Sequence, residues 1–391
     1  MSRSEVLACH VCGAPGLVTI PSYQKLSRVA SDCKVWPSGG RLGVCGQCGC
    51  AQAITDARWR EEAGAIYANY SIYHQSQGAE QSVFDPVSGQ PLARSAALAQ
   101  RLQAESLLPA RGRMMDIGCG NGSLLRAFGA VFQQWTMTGL ELYDLRRKEI
   151  ESIERVERLY TPPVAGVPGL FGLITFSHVL EHIESPLDCL VQMRDKLEPG
   201  GLVLIQVPDC AANPFMLLVA DHACHFCLPV LRRLVEEAGY EVQVATNQWV
   251  AKELTVIGRK AVEPLSHSWT DQGCMDAAAL RASVSWLERL ASQARALSCR
   301  RPFGLFGTSI AGTFLFGELG DAVDFFVDED PNRQGKVWCE RPIYAPNQVP
   351  AGSHIFVGLA PVAAAKVLER VNLLKMQARF YPPPPLPNAA T

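Results

Sequence analysis

The stretch "MMDIGCGNGSLL" (Met114–Leu125) sets an apolar pair, a carboxylate, glycines at alternate positions and the start of a helix side by side. A backbone this bare at the end of a strand lets a ligand approach the main chain closely. Two ligand chemistries compete for such a loop: a pyrophosphate resting on the helix N-terminus, and a methyl donor that carries no phosphate. The third glycine, Gly122, follows the second, Gly120, by two residues, where the dinucleotide pattern wants three. Asp116 stands just before the first glycine, Gly118, where it would repel pyrophosphate but receive the ammonium of an amino acid. Glu141 closes the next apolar run in "TMTGLELYD" (Thr136–Asp144), suited to accept hydrogen bonds from ribose hydroxyls. The residues favour the methyl donor.

The 391 residues, 48% hydrophobic and 19% charged, are enough for two or three domains with sizeable cores. A net charge of -2 leaves no basic excess to neutralise phosphates, so neither nucleic acid nor a membrane surface is an expected partner. Apolar runs such as "GLVLIQV" (Gly201–Val207) are far shorter than a membrane span, and "MSRSEVLACH" has no signal core, which predicts a cytoplasmic protein.

Alternating short apolar runs and amphipathic stretches predict an α/β chain of β–α units on parallel sheets. Strands are expected near 113–117, 136–141, 155–159, 172–177, 201–207, 241–246 and 254–258, with helices at 228–238 and about 275–298. The segments expected are a cysteine-rich head (1–57), a helical connector (58–112), a central domain (113–262), a C-terminal Rossmann-like domain (263–380) that opens on the linker "VEPLSHSWTDQG", and an extended or disordered Pro-rich tail (381–391).

Six of the 14 cysteines fall at or before position 50. "CHVC" supplies Cys9 and Cys12, and "CGQC" supplies Cys45 and Cys48; two such pairs offer four thiolates to a tetrahedral ion. Gly13, Gly46 and Gly49 each follow one of them, as tight turns around a metal require. Structural zinc is the expectation, with Cys33, Cys50 and His10 as substitute ligands. Four protein ligands leave no open position, so this metal holds structure.

In chain order, "MMDIGCGNGSLLRAF", "GLELYD", "FGLITFSHVLEHI" and "MRDKLEPGGLVLIQVPD" together resemble class I S-adenosylmethionine-dependent methyltransferases over roughly residues 95–262. The resemblance implies that Gly118, Cys119, Gly120, Asn121 and Gly122 wrap the methionine part, with Asp116 near its amine. Glu141 and Leu142 would meet the ribose, and Ser177, His178, Val179 and His182 would line the cofactor and substrate side. Two departures stand out: Gly172 replaces an acid after the Phe that opens the fourth strand, and no acid ends the third strand. His178 and His182 flank Glu181, and a helical turn there could hold a metal or cap the cofactor pocket.

"ADHACHFCLPVLRRLVEEAGY" (Ala220–Tyr240) is similar to the "EHFSYFSL" segment of zinc-containing bacterial deoxysugar C-methyltransferases. His222 matches the histidine regarded there as the catalytic base, and His225 replaces a tyrosine. Those enzymes also carry substrate-contacting tyrosines ahead of the core, where this chain has Tyr67, Tyr70, Tyr73 and His74; Tyr73 is the candidate. The segment "VDEDPNRQGK" resembles their C-terminal domain, which helps hold a nucleotide-sugar, although Gly307–Gly312 is not a full dinucleotide fingerprint.

The expected function is methyl transfer from S-adenosylmethionine to a small molecule, read as C-methylation of a nucleotide-linked keto-deoxysugar by a monomer or homodimer. The alternatives are O- or N-methylation of a sugar or other metabolite, and a zinc-ribbon interaction scaffold on an inactive methyltransferase fold.

Overall fold

A computed structural model describes residues 7–70, 80, 82–84, 91–262, 275–374 and 377–386. The expected linker, Tyr73 and His74 lie outside them. In the central sheet, β1 (Gly112–Ile117), β2 (Trp135–Leu140), β3 (Val156–Tyr160), β4 (Phe171–Ser177) and β5 (Leu197–Pro208) run parallel. β6 (Tyr240–Thr246) and β7 (Glu253–Lys260) close it, with β7 antiparallel to both neighbours. The order is β3-β2-β1-β4-β5-β7-β6. Both faces are covered by helices, which is why the strands read as unbroken apolar runs; Met114, Met115, Ile174, Val203 and Ile205 are all buried.

This order puts a switch point at β1: the chain leaves it toward β2 on one side and returns as β4 on the other. Ligand crevices in open α/β sheets form outside the carboxyl ends of strands at such a point. The glycine loop occupies that place, followed by α1 (Ser123–Val131). Gly172, the departure noted in β4, has a packing cause: a Cβ there would lie 3.2 Å from the buried Trp135 ring. The fifth expected strand starts earlier than its apolar core, at Leu197, because the "EPGG" turn bulges within it.

The C-terminal sheet contains β8 (Phe303–Phe306), β9 (Phe325–Val327), β10 (Val337–Trp338), β11 (Arg341–Tyr344), β12 (His354–Phe356) and β13 (Arg379–Tyr381). Its order is β10-β11-β9-β8-β12-β13, parallel except for β10. Helix α2 (Leu228–Glu237) lies in the central domain; α3 (Ala277–Leu297) and α4 (Ile310–Leu319) belong to the C-terminal one. The Pro-rich stretch, described through residue 386, has no regular secondary structure after Tyr381. It runs along α3, where Trp286 Nε1 donates to the Pro384 carbonyl (2.9 Å) and Gln293 Nε2 to that of Pro382 (3.1 Å).

The cysteine-rich head does not close on itself at residue 57. Its strands Val18–Thr19, Leu42–Val44 and Ala51–Ala53 form an antiparallel sheet whose last strand, Cys224–His225, comes from the central domain. Buried hydrogen bonds reinforce the junction: Tyr23 Oη to the Leu217 carbonyl (2.6 Å), Trp59 Nε1 to that of Ala220 (2.9 Å), and Ala220 N to that of Val29 (2.9 Å). No helix among the described residues is long and apolar enough to cross a membrane.

Phe215 joins the central and C-terminal domains. Its ring meets Trp286 of α3 edge-on at 5.4 Å and lies 6.5 Å from Phe314 of α4. Phe215→Ala removes the shared element of that cluster and should lower stability by about 3–5 kcal/mol, read as a fall in the urea midpoint; an unshifted midpoint would contradict this packing account.

Candidate active site

A cavity of about 710 Å³ lies at the carboxyl ends of β1, β2, β4 and β5 and the amino end of the antiparallel β7. Its walls come from all parts of the chain: the glycine loop, the head residues Ser31–Cys33, Tyr67, the 177–183 turn, His222, and the C-terminal Ser309–Ala311 and Arg333.

At the glycine loop, Gly118, Gly120 and Gly122 all have left-handed backbone, with φ of +65°, +55° and +78°. Two of the three glycines also serve the protein's own packing. A Cβ on Gly118 would come within 2.4 Å of Val179, and one on Gly122 within 2.5 Å of Ile153. The loop is tied down by Gly118 N donating to the Leu140 carbonyl (2.7 Å). Glu141 accepts from Gly120 N (2.7 Å) and Leu142 N (2.8 Å), which fixes its carboxylate beside the loop at the cavity edge. Asp116 is buried and accepts from Thr175 Oγ1 (2.6 Å); burial pushes its carboxyl up to about 7.

Of the residues expected to hold the methyl donor, Asp116, Gly118, Cys119, Gly120, Glu141, Leu142, Ser177, His178, Val179 and His182 line the cavity. Asn121 and Gly122 do not. The Asn121 side chain accepts from Ser123 N and Oγ at the start of α1, and Gly122 packs behind the loop. Leu142, Tyr143 and Pro162 supply an apolar edge where the sequence offered no adenine contact.

The cavity wall beyond the glycine loop carries a cluster of histidines and carboxylates. The expected helical turn at 178–182 is instead a left-handed His178 (φ +58°) followed by a 3-10 turn at Leu180–His182. His178 and His182 therefore do not share a helical face. His178 Nε2 is 3.2 Å from a Glu253 carboxylate oxygen without hydrogen-bond geometry. Burial holds the His178 ring well below the usual histidine range and lifts Glu253 to about 8. His182 Nδ1 lies 3.0 Å from the Asp221 carbonyl, 3.4 Å from its carboxylate and 3.1 Å from Tyr67 Oη. Burial alone would lower His182, but Asp221 lifts it to about 9. Asp221 is in turn clamped by the head, accepting from Ser31 N (2.9 Å) and Ser31 Oγ (2.5 Å).

The two candidate bases separate. His222 is buried, lines the cavity, and stands perpendicular to His182 at 4.7 Å between ring centres; burial keeps its ring uncharged. His225 is off the cavity. It pairs with Ala51 in the head sheet, and burial depresses it to about 4. Three residues passed over in the sequence matter here: Glu181, Asp221 and Ser31. Glu181 is marked in the sequence only by its flanking histidines, and nothing in a single sequence pairs Asp221 with Ser31, 190 residues away.

In the head, the sulfurs of Cys9, Cys12, Cys45 and Cys48 all lie within 4.8 Å of one another, with Cys9–Cys48 at 3.5 Å and Cys12–Cys45 at 3.6 Å. Thiolates around a tetrahedral ion with bonds of about 2.3 Å sit about 3.8 Å apart, so the group could hold one. Val11 N, Gln47 N and Cys48 N point at the sulfurs. Cys33, Cys50 and His10 stand outside this group: Cys33 lines the cavity, Cys50 bonds the Ala51 carbonyl and His10 meets Thr55.

In the C-terminal domain, the Asp328 carboxylate accepts from Thr308 N (3.0 Å) and Oγ1 (2.7 Å) and pairs with Arg333 at 3.2 Å. A Cβ on Gly312 would lie 2.0 Å from the Gly307 carbonyl, so that loop is closed on its helix.

Residues 92–244 match a methyltransferase-domain family. A ubiquinone biosynthesis O-methyltransferase of Thiobacillus denitrificans is 26% identical over 157 residues, covering 34% of this chain and 67% of the relative. One of Xanthomonas campestris is 31% identical over 117 residues, covering 27% and 47%. Among solved structures, the chain is similar to 1,6-didemethyltoxoflavin-N1-methyltransferase of Burkholderia thailandensis, at 20% identity and a TM-score of 0.37 over 54% of this chain and 96% of that one. It is also similar to the CurJ carbon methyltransferase, at 16% identity and a TM-score of 0.35 over 43% and 54%. Residues 92–244 are thus a methyltransferase domain, and the chain is an S-adenosylmethionine-dependent methyltransferase.

Proposed function

We propose that the enzyme methylates a nucleotide-linked keto-deoxysugar on carbon. The observation that carries this reading is the single cavity that runs from the glycine loop, past His182 and His222, to the start of α4. An acceptor that touched only the central domain would not need that length. At the far end, Ser309 precedes α4 without a side-chain cap, and the first-turn amides there suit a diphosphate. Arg333 stands beside them with Nε buried and without a hydrogen bond.

S-adenosylmethionine supplies an electrophilic methyl group on a sulfonium. The chain's residues fit that molecule: Asp116 receives its ammonium, Glu141 its ribose hydroxyls, and Leu142 with Pro162 the base. On the acceptor side, His222 is the catalytic residue, because it is the candidate whose uncharged ring reaches the cavity. His178 lines the same acceptor wall, and Tyr73 is carried from the sequence resemblance as a further candidate for acceptor contact. The zinc proposed for Cys9, Cys12, Cys45 and Cys48 acts at a distance. It holds the head whose Ser31 clamps Asp221, and so the acceptor wall.

Three outcomes test this reading. Donor affinity should rise with pH and level off above about 7, since the ionised Asp116 carboxylate receives the ammonium and protonation removes it. Below that point the loss should approach about tenfold per pH unit; Asp116→Asn should bind weakly with a flat profile, and a wild-type curve equally flat would refute the contact. Cys45→Ser should drop zinc content from one per chain toward zero, and unchanged metal analysis would refute the ligand set. Enzyme incubated in deuterium oxide with a nucleotide-linked keto-sugar should wash deuterium into the carbon next to the ketone. Methyl transfer without any exchange at that carbon would move the reading to oxygen or nitrogen.

A further inference from the structure

Among the described residues, Glu181 is a buried carboxylate, 2% exposed, and neither of its oxygens has a hydrogen-bond partner. A buried carboxylate left alone costs several kcal/mol, so such a group is usually neutralised, paired or ligating. Its Oε1 lies 3.6 Å from Nδ1 of His178, a ring that burial keeps well below the usual histidine range, and one ligand atom each from Glu181, His182 and His222 falls within 4.8 Å of the others. Neither His178 nor His225 joins that group.

We propose that Glu181, His182 and His222 bind a divalent transition-metal ion whose open positions face the acceptor. Two histidines and one carboxylate on one side of an ion is a donor set suited to first-row metals, with the remaining positions free. The supporting shell is already built. A metal-binding histidine usually gives its other ring nitrogen to a carboxylate or carbonyl, and His182 Nδ1 has both from Asp221. Asp221 is itself held by Ser31 of the head, so the ligand's orientation is fixed from outside the central domain. His222 makes no other side-chain hydrogen bond among the described residues, and its ring is perpendicular to His182. Charge closes as well: a dication balances the carboxylates of Glu181 and Asp221. The site opens on the cavity beside the glycine loop, where acceptor oxygens would complete the coordination. In this arrangement His222 acts as a ligand rather than as the free base expected from sequence. Only the acceptor part of this inference rests on the keto-sugar reading; the metal site stands without it.

The test uses the full-length, zinc-loaded protein and Mn²⁺, an ion that prefers oxygen and nitrogen donors to the thiolates of the head. Loss of the free-ion paramagnetic resonance signal should report one bound Mn²⁺ per chain. Glu181→Gln and His222→Asn should each weaken it at least tenfold while leaving S-adenosylhomocysteine binding, measured by calorimetry, unchanged. That retained binding shows each variant is folded. No bound Mn²⁺ in wild type up to millimolar concentration, or affinity unaltered by both substitutions, would overturn the proposal. Mn²⁺ bound as expected with no methylation of keto-sugars would keep the metal site and discard the acceptor.

Discussion

Four carboxylates, Asp116, Glu181, Asp221 and Glu253, are largely or wholly buried around one cavity, and the architecture of the site follows from how each is compensated. Burial disfavours the ionised form unless a cation or hydrogen-bond donors replace water. Asp221 is compensated within the protein, by Ser31 and His182, and is held below the usual carboxylate range. The other three are pushed up, to about 7 for Asp116 and Glu181 and about 8 for Glu253. The fold thus spends one carboxylate on its own organisation and leaves others facing the place where ligands enter.

That division gives the two ends of the cavity different chemistry. Near β1, Asp116 has one hydroxyl donor and otherwise faces the cavity, so a cationic group placed there would return it to the ionised form. Near β4, the left-handed His178 and the short turn after it bring Glu181 and His182 inward, where an α-helix would have carried them past the pocket. Gly118 allows this, because any side chain there would strike Val179 of the same turn. The glycine loop and the histidine turn are therefore one packed unit, and the donor and acceptor sides are set at a fixed distance by it.

The central sheet was legible because its signal is local and redundant. Apolar runs of strand length, a glycine loop after the first of them and an acid closing the second each point to one topology, and the strand positions agree within a few residues. The two Cys-x-x-Cys pairs were legible for the same reason, since ligand spacing is written along the chain. What was hidden depends on contacts between distant segments. Nothing near Cys224 and His225 announces that they form the edge of a sheet begun at Val18, so His225 reads as a second base when it is a strand residue. Asn121 sits inside the glycine motif yet its side chain accepts from Ser123 two residues on, a difference of side-chain direction that spacing cannot carry.

The head's place in the molecule follows from the same long-range pairing. A sheet completed by Cys224–His225 means that the segment carrying Asp221 and His222 is positioned from both sides, by β5 and α2 of its own domain and by the head's strands. Were the head a detachable module, Asp221 would lose the donors that keep it ionised in an apolar surround, and its hold on His182 would weaken with it. Whatever ties the four cysteines together therefore bears on the His182 cluster through Ser31 and Asp221, although none of the four cysteines lines the cavity. The cysteine group and the histidine cluster are two ends of one mechanical link.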